Sequence, residues 1–110
     1  MAFICLLAFL CISCTNSAKF EVSSKLVVDS IIISNGIDLL KLEEIKPGKS
    51  TIHDLTFSKS IKGDGNYQAE AWIKNVKLTS RFGYYSNGIP GGSKYIIIID
   101  KDTIMVSEKF

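Results

Sequence analysis

The sequence predicts an all-β fold, a small antiparallel β-sandwich of about seven strands, after an N-terminal signal segment. Beyond residue 20, apolar residues recur mostly with a period of two rather than 3.6, which indicates strands. Turn signals rich in Gly, Asn, Asp or Pro separate these segments at intervals of roughly 8 to 12 residues. Two runs, 26–33 and 95–99, are dominated by β-branched residues, which favour strands. Short strands at this spacing are typical of an immunoglobulin-like sandwich or a small barrel.

The first part of the domain predicts a hairpin. Leu26–Ile33 is apolar and β-branched, which indicates a strand that is buried in part on both faces. Asn35-Gly36 follows, and both residues tolerate the positive φ of a type I′ turn. Ile37–Ile45 is therefore expected to pair back on the first strand.

The segment after the turn Pro47–Ser50 can be interpreted in two ways. Thr51 with Asp54 three places later matches a capping box that opens a helix. Apolar and polar residues alternate over 55–61, however, and Thr, Ser and Phe are mediocre helix formers. The pattern favours a strand, and a helix between residues 51 and 71 remains an alternative.

The second half of the domain predicts four further strands around two loops. Loops are expected at 62–66 and, as the longest one, at Gly83–Ser93, which holds four glycines and one proline. Trp72 is the large residue expected to fill the core between the sheets. The strands are expected at 67–73, 75–82, 95–99 and 103–108, the last two joined by a tight turn at 100–102.

The residue content makes several function classes poor candidates. The 13 basic and 11 acidic residues leave a net charge of +2, which is spread too thinly to indicate nucleic-acid binding. The three cysteines are residues 5, 11 and 14, so the domain beyond them offers no disulfide and no thiol nucleophile. The only histidine, His53, stands beside Asp54, and neighbours on a strand point to opposite faces. We expect no catalytic residues, no metal and no cofactor.

The first 14 residues read MAFICLLAFLCISC. A charge-free apolar run that closes on a small residue indicates a secretory signal, and it is too short to cross a hydrocarbon core of about 30 Å. Ser13-Cys14 resembles the lipobox of bacterial lipoproteins, in which the signal is cut before a cysteine whose thiol carries a diacylglyceryl group. Cleavage after Ala18 and an uncleaved apolar helix remain alternatives.

The lipobox resemblance implies both an organisation and a location. It implies a signal peptide at 1–13 and a lipid-anchor cysteine and tether at 14–19, while the strand pattern predicts a β-sandwich domain at 20–110. It also implies residence in the bacterial cell envelope, on the outer membrane or facing the periplasm, with membrane contact through the lipid on Cys14. The layout is similar to that of small bacterial lipoproteins with an immunoglobulin-like or transthyretin-like domain, an architectural resemblance that implies no functional residue.

A second resemblance lies at the turn around Pro47. Ile45-Lys46-Pro47-Gly48-Lys49-Ser50, followed by Asp54-Leu55, is similar to the I-x-x-G-x-T-x-x-E-V motif of the SmpA/OmlA lipoproteins, which support outer-membrane protein assembly. The ending, 95–110, is similar to their final hairpin. This resemblance implies an assembly-accessory role and helices after the motif.

Binding is the function class that the sequence favours. Tyr84, Tyr85 and Ile89 stand among Asn87 and several glycines, a composition that resembles binding loops with rigid aromatic and adaptable polar groups. In the alternative interpretation, the tyrosines close the end of the fold and the glycines allow its turns. We expect a lipid-anchored, non-enzymatic binding or accessory module with an envelope protein or a glycan as ligand. An SmpA/OmlA-like assembly accessory and a small envelope inhibitor with a rigid protruding loop are the alternatives.

Overall fold

A computed structural model of the chain describes residues 16–58, 61–91 and 93–110. The signal segment and Cys14 lie outside these residues. The described part forms strands and no helix, and so it contains no helix long and apolar enough to cross a membrane. The strands are β1 (Ser17–Ser24), β2 (Val28–Ser34), β3 (Leu39–Ile45), β4 (Ser50–Thr56), β5 (Gly65–Ile73), β6 (Val76–Ser86), β7 (Ile89–Pro90), β8 (Lys94–Asp100) and β9 (Thr103–Lys109).

Two sheets form the sandwich, with strand orders β4-β1-β8-β9 and β3-β2-β5-β6-β7. Neighbouring strands are antiparallel except β1 and β8, which run parallel. The predicted all-β sandwich is confirmed, with nine described strands rather than about seven. The first two strands of an immunoglobulin domain share a sheet, whereas β1 and β2 lie in different sheets here.

The core lies between the inward faces of the two sheets. Strict alternation buries every second residue of β1, β5 and β8, as period-two patterning requires. One half of the core is aromatic, with ring centroids 5.0 to 6.1 Å apart. The six rings belong to Phe20, Phe57, Tyr67, Phe82, Tyr85 and Tyr95.

Trp72, which was expected in the core, lies on the outer face of its sheet. In β5 the inward positions are those of Tyr67, Ala69, Ala71 and Ile73. Trp72 therefore projects outward between Ser30 and Lys77 of the neighbouring strands and is half-buried. Tyr67, 1% exposed, is the large aromatic residue that β5 contributes to the core.

The directions of the strands define two ends of the sandwich. At one end β1 and β8 begin and β4 and β9 finish; we call it the loop end. It also carries the connecting segments 35–38, 61–64 and 87–91. At the opposite end the connecting segments hold Lys25, Lys46, Lys49, Lys74 and Lys101. We call this the lysine end.

The segment after Pro47 is extended. Residues 50–56 form β4, which pairs with β1, and β5 begins at Gly65. The strand interpretation is therefore confirmed for 51–56, whereas Phe57, Ser58 and Ile61 lie beyond the end of β4, and the described residues between 51 and 71 contain no helix. The helices that the SmpA/OmlA resemblance implies are not found among those described residues.

The folded domain begins earlier than residue 20. β1 starts at Ser17, so Ser17–Lys19, which were assigned to the tether, belong to the sandwich. Ala18 is 2% exposed and pairs with Leu55 of β4. The carbonyl of Asn16 accepts a 2.7 Å hydrogen bond from the N–H of Phe57. The folded domain therefore already includes Asn16, because its backbone is paired there and the side chain of Ala18 is buried.

The two Asn-Gly pairs of the sequence behave differently. Asn35, expected in a type I′ turn, is buried and has no positive φ. Its side-chain oxygen instead accepts the N–H groups of Ile37 and Asp38, at 3.0 and 2.7 Å, and β3 begins at Leu39 rather than at Ile37. Asn87 and Gly88, with φ of 54° and 70°, form the tight turn between β6 and β7. The segment Gly83–Ser93, expected as a long loop, is therefore largely a hairpin.

Candidate functional site

The two adjacent tyrosines of the predicted binding loop point in opposite directions. Both lie in β6, and successive residues of a strand face opposite sides. Tyr84 is 57% exposed, whereas Tyr85 is 7% exposed. The Tyr85 ring packs edge-on against Phe57, with centroids 5.0 Å apart. The prediction that Tyr85 contacts a ligand is corrected, because its ring belongs to the core and closes the end of the fold.

The other three predicted loop residues are accessible. Tyr84, Asn87 and Ile89 are all exposed, Ile89 by 54%. They lie on one short hairpin, which comprises the end of β6, the turn at Asn87-Gly88 and β7. We call residues 84–90 the tip hairpin.

Asp64 holds the tip hairpin to the neighbouring connecting segment. Its two carboxylate oxygens accept hydrogen bonds from the Asn87 N–H and from the Tyr84 hydroxyl, both at 2.9 Å. The pKa of Asp64 is lowered, chiefly by the hydrogen bond from the Asn87 N–H and secondly by the one from the Tyr84 hydroxyl. The same contact raises the pKa of Tyr84. The ionised carboxylate thus fixes both the backbone and the aromatic side chain of the hairpin.

The backbone of the turn also contacts residues 61–63. The N–H of Gly88 donates a 2.8 Å hydrogen bond to the carbonyl of Gly63. A Cβ atom at Gly88 would overlap the carbonyl oxygen of Ile61. Only glycine permits this approach together with a φ of 70°. The tip hairpin is therefore held in place by its neighbours.

The exposed apolar side chains are concentrated at this end of the molecule. Nine large hydrophobic residues of the described chain are exposed, and five of them lie at the loop end. These five are Ile37, Leu39, Tyr84, Ile89 and Phe110. The lysine end has two, Val27 and Val76. Contiguous apolar patches mark contact surfaces, so the loop end is the candidate for one in this protein.

Sequence reasoning missed the residues that hold the site. Asp64 and Gly63 were predicted only as parts of the loop at 62–66, and Gly88 only as one of the glycines of the loop at 83–93. Asp64 is 20 residues from Tyr84 and 23 from Asn87 along the chain, so no local pattern indicates the contact. Ile37 was missed because the type I′ interpretation placed it inside β3.

His53 lies elsewhere, in a groove of about 500 Å³ between β3 and β4. Its Nε2 atom is 2.8 Å from the Thr51 hydroxyl. Asp54 faces the other side of the strand and pairs with Lys19 at 3.1 Å, so the two neighbours do not act together. Within the described ranges, no group of three or more His, Cys, Asp or Glu side chains is placed to hold a metal ion.

Comparison with known proteins bears on the fold. No protein-family model and no curated protein matches the chain. Among solved structures, the chain is similar to a protein from Eubacterium rectale that was determined by NMR, with a TM-score of 0.51 and 13% sequence identity. The match covers 84% of this chain and 86% of that one. The likeness supports the sandwich fold alone.

Proposed function

We propose that this protein is a lipid-anchored, non-enzymatic binding or accessory module of the bacterial cell envelope, anchored through Cys14. Its contact site is the tip hairpin. The observation that carries the proposal is that Tyr84 and Ile89 are exposed while Asp64 and Gly63 hold the backbone beneath them. A site whose conformation is already fixed loses less entropy on binding.

The start of β1 supports cleavage before Cys14 over cleavage after Ala18. A cut after Ala18 would remove a buried strand residue and the Asn16 carbonyl that accepts the Phe57 N–H. A cut before Cys14 keeps both. The place of Asn16 in the fold is therefore compatible with a lipid-modified cysteine two residues upstream.

The anchor is tested by the intact mass of protein extracted from membranes, with Cys14→Ala as the control. We expect a mature chain that begins at Cys14 and carries acyl mass, and we expect the variant to lose that mass. An unacylated chain that begins at Lys19 would refute the anchor.

The contact site is tested by photo-crosslinking in cells. A diazirine amino acid replaces Ile89 or, as the control, Val76, which is 58% exposed at the lysine end. We expect adducts with protein, glycan or lipid from position 89 at a clearly higher yield than from position 76. Equal yields would contradict a contact site at the tip hairpin, since the two positions have almost the same exposure.

A further inference from the structure

We propose that the partner of the loop end is the lipid bilayer itself, with Ile37, Tyr84 and Ile89 in its headgroup region. The inference rests on the proposed function, because it names the partner of the same contact site. We call these three side chains the apolar tips. Three observations carry the inference: the point where the chain enters the fold, the side-chain types at the tips, and the pairing of the backbone beneath them.

The chain enters the sandwich at the loop end. Asn16 is fixed there by the hydrogen bond from Phe57, and Thr15 alone separates Asn16 from Cys14. Two residues span at most about 7 Å. The lysine end lies one strand length away, and the seven-residue β8 corresponds to about 23 Å. An acyl chain on Cys14 therefore brings the loop end against the headgroups and leaves the lysine end remote from them.

The charged groups at the loop end are few, and the bilayer contact does not depend on them. The nearby carboxylates are engaged within the fold: Asp38 accepts the N–H of Ser58 at 2.8 Å, and Asp64 holds the tip hairpin. Glu108 accepts the Ser93 hydroxyl. Lys62 and Lys109 are exposed, and neither forms an ion pair with another described residue. The three carboxylates outnumber the two lysines, so the anchor and the apolar tips, rather than charge, hold the loop end at the bilayer.

The backbone around the apolar tips is paired within the protein. Asn35 accepts the N–H groups of Ile37 and Asp38. Asp64 accepts that of Asn87, and Gly63 accepts that of Gly88. Unpaired backbone groups are costly where water is scarce. The loop end can therefore approach lipid without stripping water from these donors.

The side-chain types at the tips also match an interface. Tyrosine is enriched at the boundary between membrane and water, because its ring is apolar and its hydroxyl remains hydrated or hydrogen-bonded. The Tyr84 hydroxyl is directed to Asp64 and its ring is exposed. Ile37 and Ile89 supply aliphatic surface on either side of the same end, with 57% and 54% exposure.

The orientation is tested by quenching with brominated lipids. The native tryptophan is removed by Trp72→Phe, and a single reporter is introduced as Ile89→Trp or as Val76→Trp. The full acylated proteins are reconstituted into vesicles of phosphatidylcholine and phosphatidylglycerol with brominated acyl chains. We expect a several-fold greater loss of emission for the reporter at 89. Equal losses, or a greater loss at 76, would overturn the inference.

A second pair of tryptophan reporters tests whether the difference in quenching depends on the particular position that is substituted. Ile37→Trp and Val27→Trp replace residues with 57% and 59% exposure at the loop end and the lysine end. The same preference for the loop end is expected. Circular dichroism of each variant, compared with the Trp72→Phe parent, establishes that the sandwich is retained.

The mass of the same preparation separates this inference from the proposed function. Acylated protein without preferential quenching keeps the anchor and refutes the bilayer contact. If Cys14 carries no acyl group but added vesicles still quench position 89 preferentially, the contact holds and the anchor fails. If neither acylation nor preferential quenching is found, both are refuted.

Discussion

The Tyr85 hydroxyl donates a 2.7 Å hydrogen bond to the backbone carbonyl of Asn35, 50 residues earlier in the chain. Both residues are buried. The bond joins the tip hairpin to the connection between β2 and β3, and so it links the two segments that carry the apolar tips. The proposed contact surface at the loop end thus depends on Tyr85, a core residue that is itself buried.

Tyr85→Phe is expected to destabilise the fold. The substitution leaves the buried Asn35 carbonyl without its hydroxyl partner, and such a loss costs about 1–3 kcal/mol. Urea denaturation followed by circular dichroism measures the change in the free energy of unfolding. Tyr84→Phe is the control, because its hydroxyl is exposed and its loss is expected to have a smaller effect. Equal effects of the two substitutions would contradict the structural role of Tyr85.

Tyr67→Phe is expected to act in the opposite direction. The Tyr67 hydroxyl is buried and has no hydrogen-bond partner among the described residues. Burial is the largest cause that raises the pKa of the Tyr67 hydroxyl, and Tyr95 and Tyr85 raise it further. Removing a buried group without a partner relieves a penalty of about 1–3 kcal/mol, so the variant is expected to be more stable. A lower urea midpoint for Tyr67→Phe than for the native chain would refute the prediction.

The two Asn-Gly pairs show how far local sequence determines a turn. The pair favours a type I′ hairpin because both residues tolerate positive φ, and Asn87-Gly88 follows the rule. Asn35-Gly36 does not, because the Asn35 carbonyl is held by Tyr85 and its side chain pairs with the following backbone. The decisive contact is distant in sequence, so no local pattern indicates which pair obeys the rule.

The alternation of β5 was predicted correctly, but the prediction of which face of the strand lies in the core was wrong. Ranking Trp72 by size alone placed it inside. Its neighbours on the same face are Gln68 and Glu70, whereas the other face carries Tyr67 and small alanines. Two polar residues on a face favour its exposure more strongly than one tryptophan favours its burial. The sequence alone could therefore have predicted that this face points outward. The same alternation separates Tyr84 from Tyr85, and it was overlooked because the segment was interpreted as a loop.

The attachment of the tip hairpin is expected to depend on pH. The pKa of Asp64 in the folded protein is lowered from its usual value of 3.8. Because the pKa is lower in the folded state, ionised Asp64 stabilises the fold at pH values above 3.8. This stabilisation is lost as the pH falls through the folded-state pKa. Nuclear magnetic resonance of the Asn87 amide should therefore show a chemical-shift transition below pH 3.8. A transition at or above that value would contradict the contact.

Asp64→Asn is expected to lower the pKa of Tyr84 toward its usual value. The hydrogen bond to Asp64 is the largest cause of the raised pKa of Tyr84, and a neutral amide exerts a weaker effect than a carboxylate. The titration of the Tyr84 ring signals measures the change. Asp102→Asn, at the lysine end, is the control and should leave the titration of Tyr84 unaltered. An unchanged pKa in Asp64→Asn would show that the two side chains do not interact in solution.

Gly88→Ala is expected to destabilise the protein and to displace the tip hairpin. The φ of Gly88 is 70°, and a left-handed conformation costs a residue with a Cβ roughly 1–2 kcal/mol. That Cβ would also overlap the carbonyl oxygen of Ile61, so the hydrogen bond to Gly63 must lengthen or break. Gly91→Ala is the matched control, because Gly91 has no heavy atom within 4 Å of an added Cβ and no positive φ. Urea denaturation measures stability, and crosslinking from position 89 measures the site. Gly88→Ala should lower both while Gly91→Ala lowers neither, and a loss of stability with full crosslinking would mean that the contact site does not require the fixed hairpin.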